Sequence, residues 1–152
     1  MGPRVSDLAG GASRRNGTLE KNRVVLDSSA LSIIAEKKGR LRAAVRQALE
    51  ESTEVVVPTV VVAESTTGHG GNDARVNLIL KKMLVAPLDE ALARHAGLLR
   101  HATRSRRGGT IDAIVVATAD RVAGTRLLTG DTSDLRHLAA VARKTIIVSI
   151  GA

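Results

Sequence analysis

Short apolar runs alternate along this chain with stretches whose apolar residues recur every three or four positions. Residues 23–27 carry Val24-Val25-Leu26, an unbroken run too short for a helix, which reads as a strand buried on both faces. A helix is predicted over 28–38, stopped by Gly39. Leu41, Val45, Ala48 and Leu49 recur at helical spacing and predict a second helix over 40–52. The β-branched stretch 54–57 reads as a strand closed by Pro58, and 59–67 as a short helix despite its valines. Gly68-His69-Gly70-Gly71 reads as a loop, followed by a helix over 73–83 with Val76, Leu80 and Met83 on one face. A strand over 84–88, weakened by Pro87, leads to a long helix over 89–107 whose inner face holds Leu92, His95, Ala96 and Leu99. Gly108-Gly109 breaks that helix. An apolar helix over 110–123, a strand over 126–129, a helix over 132–143 and a strand over 145–150 complete the pattern.

Five strands separated by helices predict an α/β fold: a central parallel five-stranded sheet covered on both faces, a three-layer α/β/α sandwich. Such sheets place their sites outside the carboxyl ends of the strands. Three of four candidate acids fall there and the fourth, Glu64, can reach them from its helix; each lies beside a buried run. Asp27 ends the first strand, and Glu64 follows Val60-Val61-Val62-Ala63. Asp112 opens the apolar helix, and Asp131 follows Leu127-Leu128-Thr129-Gly130. Each has an ordinary alternative role. Asp27 and Asp131 can cap helices, Asp112 suits the positive end of its helix, and Glu64 can be a solvated helix residue. Together they carry more weight. Two carboxylates about 4 Å apart repel by about 4 kcal/mol at an effective dielectric near 20, and a bound divalent cation removes that cost. An all-oxygen set suits Mg²⁺ or Mn²⁺.

Composition narrows the chemistry. The 152 residues suffice for one domain, predicted over 23–152. Residues 1–22, rich in Gly, Ser, Arg and Asn and without periodicity, read as a flexible arm. The absence of Cys excludes disulfides and thiolate metal sites, and the absence of Phe, Tyr and Trp excludes aromatic base-stacking platforms. The formal charge of +8 favours a polyanionic partner. Arg100, Arg104, Arg106 and Arg107 cluster just before Asp112, and helical spacing puts Arg100, Arg104 and Arg107 on one face. They are candidates for holding the phosphates of a polyanion; the plain alternative is a solvated helix end. No signal-like or membrane-length apolar run is present, so a cytoplasmic location and no membrane partner are expected.

The ordered pieces Val24-Val25-Leu26-Asp27-Ser28-Ser29, Glu64 after its valines, Asp112-Ala113-Ile114-Val115-Val116-Ala117, and Thr129-Gly130-Asp131-Thr132-Ser133-Asp134-Leu135 resemble the PIN-domain nucleases. The likeness is greatest to the VapC-type toxins of toxin–antitoxin pairs, with Leu135 where that family often has Phe. The resemblance implies a PIN-like sandwich and a metal-dependent endoribonuclease that leaves 5′-phosphate and 3′-hydroxyl ends. Asp27, Glu64, Asp112 and Asp131 would then be the catalytic, metal-binding acids, and Asp134 a more variable fifth ligand. Ser29 and Thr129 would orient carboxylates or waters behind them. The expected partners are an RNA substrate, a VapB-type antitoxin and a second copy of the chain.

Other readings fit less well. A haloacid-dehalogenase-type phosphatase wants a second Asp where Ser29 stands, and a dinucleotide-binding turn wants glycines where Asp27-Ser28-Ser29 stand. A non-catalytic PIN-like binding module is the alternative from another class, and the full set of acids counts against it.

Overall fold

The computed structural model describes residues 22–36, 40–103, 109–144 and 146–150. The elements run β1 (Arg23–Leu26), α1 (Ser28–Ala35), α2 (Arg40–Glu50), β2 (Glu54–Pro58), α3 (Thr59–Ser65), α4 (Gly70–Leu80) and β3 (Leu84–Ala86). They continue with α5 (Glu90–Thr103), α6 (Thr110–Ala119), β4 (Thr125–Thr129), α7 (Ser133–Ala139) and β5 (Ile146–Ile150). The arm predicted over 1–22 lies outside the described residues except for Asn22, as do Arg104, Arg106 and Arg107.

The strands form one parallel sheet in the order β3-β2-β1-β4-β5. Val25 of β1 stands opposite Val56 on one side and Leu127 on the other. A right-handed crossover is the rule for parallel strands. The chain moves from β1 outward to β3, then returns across the sheet to β4 and β5. Right-handedness therefore assigns α1–α4 to one face and α5–α7 to the other. The contacts agree: α1 packs against α2, α3 and α4, while α5, α6 and α7 pack against one another.

The core is wholly aliphatic. Val24, Val25 and Leu26 are fully buried in succession, as a central strand covered on both faces requires. All seven residues from Ala113 to Ala119 are buried, which makes α6 the most enclosed helix among the described residues. At the edge of the sheet, β3 exposes Leu84 and Val85. Among the described residues, no helix is long and apolar enough to cross a membrane.

Two departures from the predicted elements have clear causes. Strand β3 stops at Ala86, before Pro87, which cannot donate to the ladder. Helix α4 begins at Gly70, inside the stretch read as a loop. Buried Asp73 accepts hydrogen bonds from Thr67 N, Gly68 N and Thr67 Oγ1, all near 3 Å. That staple fixes the preceding turn, in which Gly68 takes φ +80°, and lets the glycines enter the helix.

Polar ties also close α6. Its last carbonyls lie at the start of β1, where the Arg23 guanidinium donates to Thr118 O and pairs with Glu54 at 3.2 Å. Helix α6 therefore runs antiparallel to β1, with its first turn at the carboxyl ends of the strands. At its far end, Asp120 is buried and accepts from His95 Nε2 (2.6 Å), Arg143 N (3.0 Å) and Lys144 N (2.7 Å). Burial alone would raise the Asp120 carboxyl, but these donors outweigh it and hold it below its ordinary value. The group thus contributes stability that is complete above its unfolded pKa, about 3.9, and is lost as pH falls through the lower folded value. Asp120→Asn is expected to cost about 2–3 kcal/mol at pH 7, the range for charge-assisted bonds lost from a buried acceptor. Urea unfolding should show that deficit shrinking below about pH 4.

Candidate functional site

The carboxyl ends of the strands form the rim where the predicted acids can be compared. Asp27 follows β1 directly and is the N-cap of α1, its Oδ1 accepting from Ala30 N at 2.8 Å. Ser29 Oγ donates to the same oxygen at 2.7 Å. Despite its charge, Asp27 is only 8% exposed. Capping and rim placement therefore coexist in one side chain. Glu64 is exposed in the last turn of α3. Asp112, half-buried in the first turn of α6, accepts from Gly109 N at 3.2 Å. Asp134, half-buried, opens α7.

These four interact through their charges. Burial raises the Asp112 carboxyl above its ordinary value, against the pull of the Gly109 N–H. The charges of Asp134, Asp27 and Glu64 push it further up, in that order. Acids from three other segments thus act on one carboxyl group. Asp131 is different. It is exposed, and its Oδ1 accepts from Ser133 N at 3.0 Å and from Ser133 Oγ at 2.9 Å. Those two donors hold its carboxyl below the usual range. Asp131 thus helps fix the entry to α7, and Asp134, three residues on, is the acid of this segment whose charge raises Asp112. Spacing alone could not separate the two.

Ser29 and Thr129 lie beside the acids. Thr129 Oγ1 donates to Asp131 O at 2.8 Å and accepts from Asp131 N at 3.0 Å. Ser29 Oγ accepts from Gly130 N at 2.7 Å. Arg100 is exposed in the last turn of α5. The pairs His95–Asp120 and Asp89–Arg121 set the start of α5 against the end of α6, so the last turn of α5 points toward the Asp112 end. His69 and His137 are exposed, and His95 is committed to Asp120.

The donor set is all carboxylate oxygen, and the electrostatic pressure on Asp112 is what a cation would relieve, so the residues fit Mg²⁺ or Mn²⁺ in kind. As the side chains stand, no three acids or histidines among the described residues converge closely enough to ligate one ion.

A PIN domain family model matches residues 24–141. Among curated proteins none matches the chain. Several solved structures share the fold. A DNA-bound VapBC from Salmonella typhimurium aligns with TM-score 0.66 at 15% identity, over 86% of this chain and 98% of that one. VapBC2 from Rickettsia felis, bound to a fragment of its promoter, gives 0.63 at 12% identity, over 84% and 98%. VapC20 of Mycobacterium tuberculosis, a sarcin-ricin loop cleaving toxin, gives 0.61 at 15% identity, over 80% and 98%.

A raised carboxylate pKa opposes folding once pH exceeds the unfolded value, about 3.9, and fully so above the folded value. Asp112→Asn should therefore melt higher than the unsubstituted chain at pH 7 in a chelating buffer. A few degrees are expected, since about 1 kcal/mol shifts a domain of this size by about 2–4 °C. The difference should vanish below about pH 4 in a calorimetric series.

Proposed function

The chain belongs to the PIN domain family, and from that premise we propose that it is a VapC-type toxin, a metal-dependent endoribonuclease. The observation that supports this reading is the shared pressure of Asp134, Asp27 and Glu64 on Asp112 at the carboxyl edge of a parallel sheet. In this reading Asp27, Glu64, Asp112 and Asp134 hold Mg²⁺ or Mn²⁺, and Asp131 stands outside the set. A cation held by these acids would supply an activated water and neutralise charge on the leaving oxygen. Asp27 and Asp112 give the centre its fixed side, because each is anchored by a backbone N–H at the start of a helix. Glu64, exposed on a short helix, supplies the adjustable side. Arg100, with Arg104, Arg106 and Arg107 beyond it, holds phosphates of the RNA backbone and gives binding its salt dependence.

The solved complexes of similar fold pair a toxin with an antitoxin, and we assign this chain a VapB-type partner as well. A groove of about 740 Å³ between α1, α2 and α4 is a suitable seat. Its floor is apolar, with Ile34, Leu49 and Met83, and Leu78 is exposed on its wall. Arg46, Arg75 and Lys82 outnumber Glu36 and Glu50 among its charged residues apart from Arg42, which favours an amphipathic helix with acidic flanks. A second copy of the chain is the other expected partner.

Two experiments test these assignments. Purified protein should cut RNA with Mn²⁺ and not with EDTA. Asp112→Asn and Asp134→Asn should each lose about 100-fold or more in rate, as expected for loss of metal ligands. Asp131→Asn should stay within a few-fold. Cleavage that persists in EDTA would reject the mechanism, and a folded protein that binds RNA without cutting it would favour the non-catalytic module. Separately, Leu78→Glu should reduce co-purification of a co-expressed antitoxin while leaving the cleavage rate unchanged.

A further inference from the structure

We infer that Gly130 is a positioning residue: its missing side chain lets the turn after β4 lock onto Ser29, and this lock sets the spacing between Asp27 and Asp134. The inference rests on the metal reading given above. Strands β1 and β4 are neighbours, paired through Leu26 and Leu128, so their outgoing turns leave the sheet side by side. One turn carries Asp27, and the other leads to Asp134. Asp27 N donates to Leu128 O at 3.2 Å, which extends the ladder by one bond, and there the backbone pairing ends.

Beyond that point a single hydroxyl joins the turns. Ser29 Oγ has one proton, which goes to Asp27 Oδ1 at 2.7 Å, and it accepts Gly130 N at 2.7 Å. Thr129 Oγ1 lies 3.3 Å from it, but the Thr129 proton has a shorter acceptor in Asp131 O at 2.8 Å. The effective links are therefore Asp27, Ser29 and the Gly130 amide. Both bonds at Ser29 are short, and they require the turns to stay close. A Cβ on Gly130 would stand 3.2 Å from both Ser29 Cβ and Ser29 Oγ, and 3.4 Å from Ile33 Cδ1. Ile33 can swing aside, but Ser29 Cβ is fixed to the first turn of α1. A methyl group there must push the turns apart by a few tenths of an ångström. The Gly130 backbone is not in the left-handed region, so alanine brings no φ strain and the push is the main effect.

The test uses Mn²⁺ binding, followed by the loss of the free-ion electron paramagnetic resonance signal, on the full chain without RNA. Gly130→Ala should bind Mn²⁺ about 10-fold more weakly, and Ser29→Ala about 10- to 100-fold more weakly, the range for residues that orient metal ligands. The double variant should lose less than the two single losses combined, because the hydroxyl link is already gone in Ser29→Ala. Melting temperatures measured alongside separate this from general loosening, which would lower stability and leave the affinity of the folded protein unchanged. Wild-type affinity in Gly130→Ala, or simple additivity in the double variant, would overturn the inference. If Gly130→Ala does not fold, Ser29→Ala reads the same link from its other side, and unchanged affinity there overturns it too. No Mn²⁺ binding by the unsubstituted chain would sink the metal reading, and the inference with it.

Discussion

Parallel pairing of β1 with both β2 and β4 forces each crossover to carry the chain back to the opposite edge before the next strand begins. Every strand then releases its outgoing turn on the same side of the sheet. The strands are aliphatic and the central one is buried on both faces, so polar groups can gather only where the strands end. Asp27 leaves β1 at that rim. Asp134 reaches it from the turn after β4, and Asp112 arrives because α6 runs antiparallel to β1. The charge cluster is a consequence of strand direction, and its cost appears at Asp112, the acid the others push upward.

Local anchors decide how each acid is used. Asp131 is held by two donors from Ser133. Asp73 goes further: it is buried, surrounded by the donors of Thr67 and Gly68, and serves only the turn before α4. Asp27 combines both kinds of role. Its Oδ1 caps α1 and accepts from Ser29, while its charge still reaches Asp112. In the proposed reading, the centre uses side chains that the fold already employs as caps, which keeps charged groups still.

Much of this was legible in the chain itself. Unbroken runs such as Val24-Val25-Leu26 mark buried parallel strands, and acids directly after them fall at the rim by topology. The inner face of α5, with Leu92, Ala96 and Leu99 buried, follows from its spacing. Three features escaped, each because its cause is distant or three-dimensional. Asp120 is held by groups 23 to 25 residues away in both directions, and two of its three donors are backbone amides. Helix α4 starts on glycines because Asp73 fixes the turn before it, which outweighs their weak helix preference. That Asp134 adds its charge to Asp112 while Asp131 is held by Ser133 is set by three-dimensional placement, and a three-residue separation does not specify it.

The tether at Asp120 also bears on the order in which the chain assembles. Acceptors sit poorly beside the last carbonyls of a helix unless outside donors arrive, and here they come from α5 and from the segment entering β5. These contacts join residues 23 to 25 apart, so the chain between them must close its loops first. Only with those loops closed are all three donors at the end of α6 in place, and Asp112 is held at the rim by the same helix. A nascent polypeptide that has not yet emerged as far as Lys144 lacks two of the three donors that fasten this helix, so Asp112 is not yet held at the rim when α6 itself has been made.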